Sequence, residues 1–115
     1  MPHDANKYLY DIQAAARRVE RFTLNRTLDD YLADELLQSA VERQFEIIGE
    51  AVNQLSQRHP TTAERISSYQ RMISFRNVLI HGYASVDPMI VWGVVEADPG
   101  TLLSTVNELL DGDTN

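Results

Sequence analysis

Cysteine is absent from the 115 residues, so the chain forms no disulfide, offers no thiolate nucleophile and ligates no zinc through sulfur. Any chemistry must come from oxygen, imidazole or guanidinium groups. Basic residues are missing from the C-terminal third: all ten Lys and Arg lie in positions 1–76 beside eleven Asp and Glu, while 77–115 carries six acids and no base. The net charge of −7 argues against indiscriminate binding to nucleic acid, since Lys and Arg supply most non-specific affinity for phosphates. A local basic surface around Arg65, Arg71 and Arg76 remains available to a polyanion, the acidic segment facing elsewhere or meeting a basic partner. No apolar run approaches the roughly 18–20 residues that span a bilayer, and the first residues, MPHDANKYLYDIQ, lack the charged and apolar regions of a signal peptide. The sequence predicts no membrane association and a cytoplasmic location. Low-complexity tracts, sustained two-residue alternation and hairpin signals are also lacking, which excludes disorder and argues against a sheet.

What is present suits one domain, 1–115, with one core: 43% hydrophobic and 23% charged residues in a chain long enough to bury roughly two thirds of its unfolded surface. From Asp4 to Phe22, Tyr8, Ile12, Ala15, Val19 and Phe22 recur at steps of three and four, predicting an amphipathic helix with Asp4 as its N-cap. Thr27 with Asp30 reads as a weakened capping box opening a second helix that runs to about Arg58 and stops at Pro60. Along it, Leu37, Val41, Ile48, Ala51 and Leu55 form one apolar stripe and Leu36, Ala40 and Ile47 an adjacent one. Two neighbours are needed to cover so wide an arc. Gly49, in the middle, costs roughly 1 kcal/mol of helix propensity and signals that another backbone passes close by. Arg43 and Glu50 continue the second stripe. Either they sit at its edge and reach solvent, or they form an ionic pair in a subunit interface or lining a cleft.

A third helix, from Thr61 or Thr62, carries Ile66, Tyr69, Ile73, Arg76 and Ile80, so that Arg76 stands where an apolar residue belongs. Gly82 reads as its stop. Asp87-Pro88 and Asp98-Pro99 each pair an N-cap with proline at the first helical position. They predict helical pieces from Met89 to Ala97 and from Thr101 to Leu110, or one helix kinked at Pro99. The expected architecture is all-α, an antiparallel bundle of four to five helices.

Arg76-Asn77-Val78-Leu79-Ile80-His81-Gly82-Tyr83 gathers a guanidinium, an imidazole and a phenol at a helix end. Histidine can move a proton from a 2'-hydroxyl or to a leaving 5'-oxygen near neutral pH. Arginine can hold a phosphate through parallel N–H donors and offset the charge of a pentacoordinate transition state. A tyrosine can orient the phosphate or accept a modifying group. These types suit RNA cleavage without a metal, leaving a 2',3'-cyclic phosphate. One histidine serves poorly as base and acid on opposite sides of a phosphate, so a second copy, or Arg76 with Tyr83, must assist. On spacing alone the structural alternative is the stronger, with His81 capping the helix C-terminus and Tyr83 in the core. His3, near the terminus, and His59, before Pro60, show no metal-ligand spacing, and neither a metal nor another cofactor is expected.

Three blocks carry a resemblance: R-N-V-L-I-H-G-Y at 76–83, E-I-I-G-E-A at 46–51 and V-D-P-M-I-V-W at 86–92. Together with the helix order they make the chain resemble the HEPN superfamily, and within it the HepT toxins of HEPN/MNT toxin–antitoxin modules. The resemblance implies a helical bundle that forms a homodimer, uniting two Arg-x4-His-x-Tyr motifs in one RNA-cleaving cleft. Carried over, Arg76 and His81 are catalytic; apart from the resemblance, Asn77 and the stripe charges Arg43 and Glu50 are supporting candidates. Tyr83 becomes the residue to which a nucleotidyltransferase antitoxin of the MNT type transfers AMP, and transfer RNA is the substrate class suggested for some relatives. The segment Ile66 to Gln70 departs from many relatives in lacking a proline-tryptophan pair. That leaves the motif untouched and bears on how the third helix is entered. Two other readings compete: a non-catalytic helical module presenting nucleotide or substrate to a nucleotidyltransferase, and a structural oligomerisation domain.

Overall fold

The computed structural model describes residues 2–82, 86–97 and 99–112. Seven helices and no strand occur among them: α1 (Pro2–Thr23), α2 (Leu28–Leu32), α3 (Glu35–Arg58), α4 (Pro60–Glu64), α5 (Tyr69–His81), α6 (Pro88–Glu96) and α7 (Pro99–Gly112). The all-α expectation holds, and the two additional elements are short helices of five residues.

Helix α1 begins at Pro2, which places Asp4 inside the helix and removes it from the N-cap position. Its inner face is the expected stripe widened by Ala5, Leu9 and Ala16; Leu9, Ile12 and Val19 are completely buried. Full burial contributes about 1.5–3 kcal/mol for each such aliphatic side chain. This face packs on α3 and on α7, and Gln13 donates to Asn107 at 2.7 Å to pin the second contact.

The long second helix divides in two. Thr27 and Asp30 complete a reciprocal capping box, which opens α2 as expected. The chain then turns at Ala33, and Asp34, in extended conformation, accepts a hydrogen bond from the Leu37 N–H and caps α3 anew. The break lets Tyr31 turn fully inward, where its ring meets Trp92 of α6 with centroids 5.2 Å apart. Pro60, expected only as a stop, also starts α4 at a first-turn position where its missing N–H costs nothing.

The third helix is likewise interrupted, at residues 65–68, where Ser68 takes the left-handed conformation with φ 61°. This is the segment that lacks the proline-tryptophan pair. Gly82 closes α5 as expected, its N–H donating to the Val78 carbonyl at 2.7 Å, and it does so without a positive φ. Asp87 caps α6 through Met89 N–H, also as expected. Asp98 lies outside the described residues, and α6 and α7 are separate helices.

On α3 the first apolar stripe, Leu37 to Leu55, is buried throughout. The second is not covered along its length: Leu36 is 81% exposed, while Ala40 and Ile47 are half-buried. Helices α1 and α5 both pack on α3.

Candidate active site on α3 and α5

Gly49 lets α5 approach α3 with no room for a side chain between them. A Cβ at this position would strike the Arg76 side chain at its Cβ and come within 2.9 Å of the Met72 carbonyl oxygen. The close approach expected from a mid-helix glycine is therefore real. It also explains why an arginine occupies an apolar position: its aliphatic stem packs on Gly49, and its head continues past the edge of α3.

That head meets Glu50. Arg76 Nη2 lies 2.7 Å from Glu50 Oε2, with the arginine side chain 25% and the glutamate 45% exposed. Glu50 Oε2 is itself shut off from solvent and makes no well-directed hydrogen bond, so its charge is balanced by the adjacent guanidinium. Gln54 donates to the other carboxylate oxygen at 3.2 Å, and Arg76 Nη1 donates to Asn77 Oδ1 at 3.0 Å. A guanidinium has five N–H donors, so these contacts orient it without exhausting it. Arg43 and Glu50 do not pair with each other, but Glu50 takes part in an ion pair beside a groove. Its cation is Arg76, whereas Arg43 is 67% exposed and pairs with Glu46 at 3.4 Å. Arg43, Glu46, Ile47 and Glu50 do line a shared groove of about 380 Å³ between α1 and α3, with Lys7 and Tyr8 on its far wall. Gln54 and the Lys7–Tyr8 wall escaped the sequence reading. Gln54 was findable as the polar residue one turn after Glu50.

His81 is the last residue of α5 and is exposed. It makes no hydrogen bond to another described residue, and the helix end is closed by the Gly82 N–H, so the imidazole does not act as the helix cap. Five helical residues turn through about 500°, so Arg76 and His81 leave α5 about 140° apart. Arg76 faces α3 and His81 faces solvent; a single chain does not bring them together on one face of the helix. The same rotation separates Arg71 from Arg76, so the expected basic surface is divided between two flanks of α5. Tyr83 lies outside the described residues. Among the described residues no group of three or more His, Asp or Glu is arranged to hold a metal ion, and no helix is long and apolar enough to cross a membrane.

The family model for ribonuclease HepT-like proteins matches residues 12–109. The chain belongs to this HepT-like family. A protein of Thermococcus cleftensis named "Probable ribonuclease HepT" is 34% identical over 113 residues, covering 95% of this chain and 98% of its own. A Methanocaldococcus jannaschii protein named as a candidate RNase is 31% identical over 99 residues, covering 83% of this chain and 86% of its own. No solved structure matches. The HepT-like match includes α3 and α5, and with them Gly49, Glu50, Arg76 and His81.

Proposed function

We propose that this HepT-like chain is a metal-independent endoribonuclease and the toxin of a toxin–antitoxin pair, acting in the cytoplasm. The observation that carries the reading is a partly exposed guanidinium fixed by Gly49, Glu50 and Asn77, five residues before an exposed and unengaged imidazole. Arg76 binds the scissile phosphate and offsets the charge that develops on it. His81 takes the proton from the 2'-hydroxyl, whose oxygen attacks phosphorus and expels the 5'-oxygen; the products are a 2',3'-cyclic phosphate and a 5'-hydroxyl. Because the two side chains diverge along α5, the active unit is a homodimer in which a second copy's imidazole supplies the proton to the leaving oxygen. The substrate class is structured RNA, with transfer RNA first among candidates.

The antitoxin is a minimal nucleotidyltransferase. Tyr83 Oη attacks the α-phosphorus of ATP, pyrophosphate leaves, the phenol proton is lost, and the tyrosine carries AMP. An adenylate two residues beyond His81 adds bulk and negative charge where the RNA phosphate must bind.

The Glu50 contact also suits a second reading, in which Arg76 is a phosphate clamp of a non-catalytic module and His81 is dispensable. Incubating the purified chain with total RNA in EDTA, followed by analysis of the new 3' ends, decides between them. Cyclic phosphate termini support the nuclease, and intact RNA refutes it.

A further inference from the structure

On the side of α5 away from Glu50, the helix stands apart from α6 and α7 and leaves an open apolar groove of about 550 Å³. Met72 and Phe75 form one wall, Ile90 and Val94 another, and Leu102 the third, over a floor that includes Phe45. Ile90 is 61% exposed there. Its volume is that of a small-molecule site, and apolar walls with a few polar groups at one end are the usual composition of such sites.

Two observations say what fits. The first is charge: among the described residues that line the groove, Arg71 is the one ionisable side chain, beside the hydroxyls of Ser67 and Ser68. Although the protein carries 17 acids against 10 bases, the Arg71 side chain makes no ion pair or hydrogen bond with another described residue. The second is Gly93, inside α6, where a Cβ would meet nothing within 4 Å. A helical glycine costs roughly 1 kcal/mol against alanine. At Gly49 the approach of α5 accounts for that cost; at Gly93 no described neighbour does. Gly93 lines the groove, so a long side chain at this position would project into it.

We infer that the groove between α5, α6 and α7 binds a small amphipathic anion, its apolar body between Phe75, Ile90 and Leu102 and its negative group on Arg71. This site is separate from the Arg76–Glu50 pair, and its test does not depend on nuclease activity.

The test uses the full chain and two dyes with the same rings, anionic 8-anilinonaphthalene-1-sulfonate and uncharged N-phenyl-1-naphthylamine. The anionic dye is expected to bind saturably, one per chain. Arg71→Met weakens it about tenfold, the value of one charge-assisted contact, and shifts the neutral dye less than about twofold. Gly93→Leu abolishes binding of both dyes without lowering the melting temperature. Ala97→Leu, on the same wall, provides a second plug should Gly93→Leu not fold. Absence of saturable binding, including exclusion of both dyes because a second copy covers the groove, overturns the inference. So does equal weakening of both dyes by Arg71→Met, or binding that survives both plugs.

Discussion

Arg76 on α5 and Glu50 on α3 meet at 2.7 Å, and Gly49 is the residue that allows it. The carboxylate holds the guanidinium at the edge of α3 while Gln54 and Asn77 hold the two partners from either side. Glu50→Gln keeps the shape and removes the charge. Because the pair is a quarter to a half exposed, its loss should cost less than about 1 kcal/mol of stability. Its effect belongs in catalysis: kcat for RNA cleavage should fall about tenfold through loosened positioning of Arg76, with KM moved less than about threefold. Steady-state kinetics on a defined RNA, beside a melting curve, separates the two effects.

Gly49→Ala should be far more costly to the fold than to helix propensity, which alanine improves. The added methyl strikes the Arg76 stem and approaches the Met72 backbone, which cannot move without α5. A destabilisation of about 1–3 kcal/mol is expected from this overpacking, read as a lower urea midpoint at unchanged slope.

The two N-caps either side of Ala33 should each contribute about 1 kcal/mol. Thr27→Ala removes the acceptor for Asp30 N–H, and Asp34→Ala the acceptor for Leu37 N–H. Urea denaturation of the two variants and their double mutant measures both.

Glu42 gives a pH signature. Burial, and secondarily the charge of Glu46, raise its pKa above the ordinary glutamate value. A folded-state value above the unfolded one means a contribution present at low pH and lost as pH rises through the folded value. Glu42→Gln should therefore raise Tm at about pH 8 and leave it nearly unchanged at about pH 3.5. Asp30 works oppositely: the Thr27 backbone N–H, and then its hydroxyl, lower its pKa, so its contribution is present at neutral pH and lost on acidification.

Periodicity and caps made the helical class legible, because the α1 and α3 stripes, the Thr27 box and Asp87-Pro88 are local signals. Asp34 was missed because Leu36 and Leu37 continue the helical pattern across it, and a cap shows only when the chain actually turns there. The break at residues 65–68 was hidden for a related reason, since Ile66 and Tyr69 keep helical spacing while Ser68 adopts a positive φ. Within the site, Gly49 and the misplaced Arg76 each pointed to something unusual. That they answer one another is a tertiary fact, carried by 27 residues of separation and by no local pattern. The division of Arg76 and His81 between two flanks of α5 follows from their spacing alone. The resemblance supplied the chemistry that the spacing did not.

The proposed cleavage requires Arg76 and His81 to act on one phosphodiester. Its most direct measurement is EDTA-resistant RNA cleavage by Arg76→Ala and His81→Ala, each alone and then refolded together as a mixture. Each variant alone should be inactive while melting like the unaltered protein, and the mixture should stay inactive as well, because a mixed dimer holds one imidazole where the reaction uses two. Cleavage at the unaltered rate by His81→Ala would contradict the account.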